Sequence, residues 1–397
     1  MRRLLLILPL LVSASFRQAN YEGRWRAVLD LQGGTLPFEL LVQRVQGRLV
    51  ASICNGPGCD TQADLAVHDA EVTFDIADYA ATITATRRGD SLVGTYRNVG
   101  RNGPRSIPFR ASRGAWPRTG ASDRLVGSWD AWYITDQRRS PRVFEIRAGP
   151  QGTEAAVLSN TGDLGRFWGG DATGDSLLVS RFDGISVYVL TGRLDGDTLR
   201  GVFHAGLRTL TPYVAVRSTG APHLALPTDL TTADTVNPFQ FSFLDTEGRR
   251  VTQDDPRLKG KVVLVDIFGS WCVTCHEATP DLLAIYRDYH SRGVEFLGLG
   301  YEVTGDSTTD NPQIRRFRAK FGIPWPLLHG GASVVEETAA SLPQLKGFTA
   351  YPTTLFLGRD GRIRKVYAGF RGPATGAQHE KQLADYRQLL DALLAEP

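Results

Sequence analysis

One unit occurs twice in the first half of this chain, and that repetition constrains the fold more than any single motif. "GRWRAVLDL" at Gly23 returns as "GSWDAWYIT" at Gly127, and "GDSLVGTYRN" at Gly89 returns as "GDTLRGVFHA" at Gly196. "PFRASR" at Pro108 is echoed by "YVAVRS" at Tyr213. The offset is 104 positions at the start and 107 further on, which is too long for a solenoid repeat. Each copy must therefore close a small core of its own. "ATITATRR", "LVGTYRN", "SLLVSRF", "SVYVLTGRL" and "TLRGVFHA" are rich in β-branched and aromatic residues, with Gly-Asp and Asp-Gly turns between them. Helical periodicity is nearly absent from Tyr21 to Arg217. An all-β duplicated N-terminal region follows, built as barrels or sandwiches of antiparallel hairpins.

The Gly-x-Trp that opens each copy resembles the start of a lipocalin-type barrel. The copies are assigned to residues 16–114 and 121–218, with a linker at 219–236 where Thr, Ala, Pro and Asp crowd without periodicity. The chain then changes character. Every lysine lies at or beyond Lys259, and the residues from 237 to 397 form a separate domain.

Hydrophobic residues make up 42% of the 397 and charged residues 22%, which suits a globular chain. A net charge of +3 gives no case for a nucleic-acid partner. Residues 1–15 read as a signal peptide. Arg2 and Arg3 precede the apolar run Leu4 to Val12, and the small residues Ser13, Ala14 and Ser15 follow. The run is shorter than the ~20 residues a bilayer span needs. The expected location is exported, periplasmic or extracytoplasmic, where disulfides persist.

The four cysteines form two close pairs. Cys54 and Cys59 flank Asn-Gly-Pro-Gly between two expected strands, as a structural disulfide at a hairpin tip would. A second redox pair is the rival reading, and the lack of a neighbouring Trp, buried acid and following helix argues against it. Cys272 and Cys275 lie in "WCVTCH", which admits two functions: a c-type haem attachment site or a thiol-disulfide site. Haem is disfavoured because His276 would lie inside a first helical turn and the only Met is Met1. No second ligand pair has zinc spacing, so neither metal nor cofactor is expected.

Around this pair the elements can be read in order. "FQFSFLDTEGRRVT" is a hairpin turning at Thr246-Glu247-Gly248, and "KVVLVDIFGS" is a strand buried on both faces. A helix runs from Glu277 to His290, and "VEFLGLGYEV" is a second buried strand. "NPQIRRFRAKFG" is a helix capped by Asp310 or Asn311, with Pro312 near its first position. "TTLFLGRDGRIRKVYAG" is a strand pair, and "KQLADYRQLLDALLAE" is a closing helix. The expected order is β-β-α-β-α-β-β-α.

"FSFLDTEGRRVT", "LKGKVVLVDIFGSWCVTC" and the later "YPTTLFLGRDGRI", in that order, resemble the TlpA/ResA-like exported thiol-disulfide oxidoreductases of the thioredoxin superfamily. The resemblance covers about residues 237–395 and implies an α/β thioredoxin-like domain. It implies Cys272 as nucleophile, Cys275 as resolving thiol and Asp266 as a buried acid that takes the proton of Cys275. A water-satisfied edge Asp is the plainer reading of Asp266. Pro280 matches a helix-kinking proline. Pro352 matches a cis-proline that turns the backbone of Tyr351 towards an extended substrate. Trp271 becomes a platform beside Cys272, or simply a packing residue. Substrates would be extracytoplasmic protein disulfides, and electrons would come from a membrane thiol donor. Independently of family, a thiol at a helix N-terminus has its anion favoured by the unpaired amides and the dipole.

The chain departs from the family where its members often carry Glu three residues after the second Cys. Here that residue is Ala278, and Glu277 lies about 100° around the helix. Glu302 is either a second acid at the site or a solvated strand-end charge. His276 either sets the charge near Cys272 or lies on the surface. Two rival functions remain at this stage. A thiol peroxidase would need a Thr-x-x-Cys motif, which Gly269-Ser270-Trp271 does not supply. A binding module in the β-region would make the redox domain an accessory, yet His68 and His204 stand alone there.

Overall fold

The computed structural model describes residues 20–397 apart from 57, 101, 102, 119, 137, 151, 166, 167 and 222. The leader expected at 1–15 lies outside the described residues. Eight antiparallel strands from Gly23–Leu31 to Gly103–Arg113 close into a barrel. Closure comes from pairing the first strand with the last, Trp25 opposite Arg113 and Leu29 opposite Phe109. Alternation decides the inside. Trp25, Ala27, Leu29 and Leu31 are buried along the first strand while the residues between them are partly exposed. The second copy runs from Gly127–Thr135 to Thr209–Arg217, and pairing between Arg138–Gly149 and Gly152–Ser159 closes it as well. Of the two forms expected, barrel or sandwich, the closed barrel is found.

The duplication extends to side-chain detail. Trp25 donates its indole N–H to the carbonyl of Tyr21 at 2.8 Å, and Trp129 donates to Leu125 at 2.9 Å. Arg113 lies over the Trp25 ring at 5.3 Å and Arg217 over Trp129 at 4.1 Å. In both copies an arginine from the last strand seals the indole by a cation–π contact.

The barrels are fused. The turn after Ser176–Phe182 in the second barrel enters the core of the first, where Phe182 meets Phe38 at 4.6 Å and Tyr96 at 5.1 Å between ring centres. Asn55 holds this turn by both its amide atoms, accepting from Phe182 N at 2.8 Å and donating to Phe182 O at 2.7 Å. Arg181 and Asp183 pair at 3.0 Å with side chains fully buried. The Cys54–Cys59 disulfide is present at the tip between strands Arg48–Asn55 and Gly58–His68, with Cα atoms 4.0 Å apart.

Beyond the barrels a seven-stranded sheet is covered by helices. Val262–Phe268 pairs in parallel with Val294–Glu302 and antiparallel with Thr353–Leu357. Strand Leu327–Ala332, helix Val335–Ser341 and the two-residue strand Leu345–Lys346 are among the elements that escaped the sequence reading. They are short, and "HGGAS" carries no periodicity. Inside the stretch expected as linker, Thr232 and Ala233 pair with Lys346 and Leu345. The helix expected to be capped by Asp310 or Asn311 begins earlier and spans Ser307–Phe321. Its N-cap is Asp306, whose carboxylate accepts from Thr308 N at 3.3 Å and from the hydroxyl of Thr309 at 2.8 Å. Pro312 therefore lies inside the helix. Among the described residues, no helix is long and apolar enough to cross a membrane.

The second barrel docks on the sheet domain by direct backbone contact. Phe370 N donates to Thr161 O at 3.1 Å, and Gly162 bridges Phe370. Gly369 has φ +88°, and a Cβ there would overlap the Thr161 carbonyl. Arg371, which is buried, donates to the carbonyls of Ser159 at 2.6 Å, Asn160 at 3.2 Å and Ala225 at 3.1 Å.

Candidate active site

The site stands where the central strand Val262–Phe268 hands over to helix Val273–Tyr289. Cys272 is the N-cap residue, in extended conformation, and the amide of Cys275 donates to its sulfur at 3.1 Å. A helix N-terminus leaves such amides unpaired, so they are available to an anionic sulfur. Cys272 and Cys275 are joined by a disulfide in this structure, and both are buried. Pro280 lies inside the helix.

Opposite the cysteines, the Tyr351–Pro352 peptide is cis. The Tyr351 carbonyl oxygen lies 3.5 Å from the sulfur of Cys272. Trp271 is half-buried. Its indole donates to the Tyr301 carbonyl at 2.9 Å, and its ring meets Tyr351 edge-on at 5.6 Å. Trp271, Cys272, Tyr351 and Pro352 thus converge on one place.

Asp266 sits within the buried strand, paired in register with Gly298 and Thr354. Strand alternation places it on the face of Leu264 and Phe268, which pack in the same cluster as Cys272 and Cys275. Burial alone raises its pKa to about 7. The water-satisfied edge Asp is not what is found, because the central strand is covered on both faces.

Glu302 is likewise no solvated charge. It is buried and accepts from Ser270 N at 2.8 Å and from the Ser270 hydroxyl at 2.7 Å. Burial raises its pKa to about 8 against the pull of these hydrogen bonds. Glu302 therefore fixes the turn that carries Trp271 and Cys272.

His276 is partly buried, against the first barrel. Its ring meets Tyr79 of the first barrel at 5.1 Å, Phe317 at 4.9 Å and Phe321 at 5.5 Å. Nε2 lies 2.7 Å from the Ser270 carbonyl and Nδ1 lies 3.1 Å from Lys320 Nζ. Burial, with Lys320 beside it, pushes its pKa down to about 4. Both ring nitrogens are engaged within the protein, which leaves neither for a haem iron. Sequence reasoning missed Ser270, Lys320 and the barrel residues Asp78 and Tyr79. Only the adjacency of Ser270 to the Trp-Cys pair could have flagged any of them.

A dithiol–disulfide pair at a helix N-terminus, facing a cis-proline, on a central strand flanked by helices, defines a thiol-disulfide oxidoreductase of the thioredoxin fold. Residues 231–383 match the family model described as Redoxin. The thiol-disulfide oxidoreductase ResA of Bacillus subtilis is 27% identical over 150 residues, which cover 38% of this chain and 72% of that one. ResA of Geobacillus thermodenitrificans is 26% identical over 129 residues, covering 32% and 66%. A solved thiol:disulfide interchange protein of the thioredoxin family from Chlorobium tepidum is 21% identical, covering 41% of this chain and 99% of that one, with a TM-score of 0.31.

Proposed function

We propose that this protein is an exported reductant of protein disulfides, acting through Cys272 and Cys275. The observation that carries the reading is the pairing of Cys272 at the helix N-cap with the Tyr351 carbonyl across from it. The thiolate of Cys272 attacks one sulfur of a substrate disulfide, forming a mixed disulfide and expelling the other sulfur as a thiolate. Cys275 then loses its proton to Asp266 in its ionised form, which a pKa of about 7 makes available at neutral pH, and attacks the Cys272 sulfur. This releases the second substrate thiolate and restores the Cys272–Cys275 disulfide. The substrate is reduced by two electrons and the pair is oxidised by two. The backbone of Tyr351 binds the substrate segment, and Trp271 flanks it.

Export is supported by the basic-then-apolar pattern of residues 1–15 and by the second disulfide, Cys54–Cys59, which suits an oxidising compartment. There the pair must be kept reduced by a thiol donor, and a membrane donor fits that need. The test is the midpoint potential of the Cys272–Cys275 pair against thiol buffers. A value near or below about −250 mV makes the protein a reductant, and one near −120 to −180 mV makes it an oxidant or isomerase. Cys272→Ser should abolish reduction of insulin disulfides.

A further inference from the structure

The first barrel reaches the dithiol helix. Val273, between the two cysteines, packs against that barrel's core cluster, and the Tyr79 ring meets the His276 ring at a tilt. From Asp78 of the barrel a line of contacts runs inward. Asp78 pairs with Lys320 Nζ at 2.7 Å, Lys320 lies 3.1 Å from His276 Nδ1, and His276 Nε2 lies 2.7 Å from the Ser270 carbonyl.

The chemistry of this line fixes its protons. An ammonium only donates, so Nδ1 of His276 accepts and Nε2 carries the hydrogen that the Ser270 carbonyl receives. A proton on Nδ1 would face the Lys320 ammonium. The backbone N–H of His276 also donates to the Cys272 carbonyl at 3.1 Å. One neutral residue thus holds the carbonyls on either side of Trp271, with a cation directly behind it.

We infer that the first barrel is part of the redox centre, with Asp78 and Lys320 acting through His276 as positioning residues that set the thiolate character of Cys272. This rests on the dithiol reading proposed above. Lys320 supplies a positive charge behind the turn that carries Cys272, and Asp78 partly offsets it. Other charges also bear on this corner: Asp183 with Arg181 from the second barrel, Glu277 from the dithiol helix, and Asp64, Asp75 and Arg316 around Asp78 and Lys320. The buried acids Glu302, bonded to Ser270, and Asp266 bear on it as well, and all of these charges are common to the wild type and the variants.

The test reads the alkylation of Cys272 by iodoacetamide against pH, in the reduced full-length protein at low ionic strength. Asp78→Asn leaves the Lys320 charge uncompensated, so alkylation at pH 6 should speed up by about three- to ten-fold. Lys320→Met should slow it by about as much. Lys320→Arg, which keeps the charge, should stay near wild type. Shifts of opposite sign in the first two variants mark an electrostatic link, since loss of packing alone would move both the same way. Profiles that overlay on wild type, or move in one direction together, overturn the inference, provided near-UV circular dichroism reports a native fold. The readout needs no protein substrate. A wild-type chain that alkylates as expected but fails to reduce insulin defeats the functional proposal and leaves this one standing.

Discussion

Replacing Asp266 with Asn tests how the central strand stores a proton beside the dithiol. Burial raises the pKa of Asp266 from the ordinary 3.8 to about 7. In the unfolded chain the group ionises near its ordinary value, whereas in the fold it stays protonated until about pH 7. The sign follows. The stability contributed by the protonated acid is fully present below the unfolded pKa and is lost as pH rises towards the folded one. Each pH unit well between the two costs ~1.36 kcal/mol and the slope halves at the folded pKa, so from pH 5 to pH 7 the wild type should lose ~2.3 kcal/mol through this group. The Asp266→Asn variant has no ionisable group at this position and should not show the loss. One oxygen of Asp266 has no hydrogen-bond partner, so a buried amide there adds a penalty of about 1–3 kcal/mol. That penalty is independent of pH. The measurement is therefore the slope: urea unfolding of both proteins, oxidised, at pH 5, 6, 7 and 8.5. The wild-type and variant curves should diverge by about 2–3 kcal/mol up to pH 7 and become parallel above it. Parallel curves from pH 5 to pH 7 would refute the buried, proton-holding Asp266. Glu302 titrates in both proteins and cancels in the comparison.

Other perturbations have equally direct outcomes. Glu302→Ala removes both acceptors of Ser270 and should cost about 2–4 kcal/mol in urea unfolding, with faster proteolysis at the Trp271 turn. Gly369→Ala puts a methyl group against the Thr161 carbonyl at a left-handed backbone position and should destabilise by about 1–3 kcal/mol. Replacing Cys54 and Cys59 together by Ser should cost about 2 kcal/mol while leaving insulin reduction unchanged, because the loop they close is small.

Much of the site is legible from local pattern. The run "KVVLVDIF" marks a strand buried on both faces, and the apolar spacing after Cys275 marks a helix. Together they place Cys272 at a helix start, which is where the structure has it. The helix from Ser307 shows the limit of such reading. Its start depends on which of several neighbouring acids accepts the first amides, and Asp306 does so rather than Asp310. Asp310 instead accepts from the Thr304 hydroxyl at 2.7 Å and lies 3.2 Å from His329 Nε2. Glu302 could be read either as a solvated charge or as a buried acid. Only the position of Ser270 across the sheet end distinguishes the two.

By itself, the sequence determined that the first half is a duplicated all-β unit, that the second half alternates strands and helices, and that one cysteine pair follows a buried strand. These are properties of periodicity and turn chemistry, which act over a few residues. The tertiary structure alone decided that Phe182 of one barrel completes the core of the other, and that Arg371 binds the domains through three carbonyls. It also decided that Asp78 meets Lys320 across 242 positions of chain. Such contacts leave no periodic trace, because neither partner's neighbours in sequence share the constraint. They arise from surface complementarity once both barrels and the sheet have closed, and the neutral, clamped state of His276 depends on them.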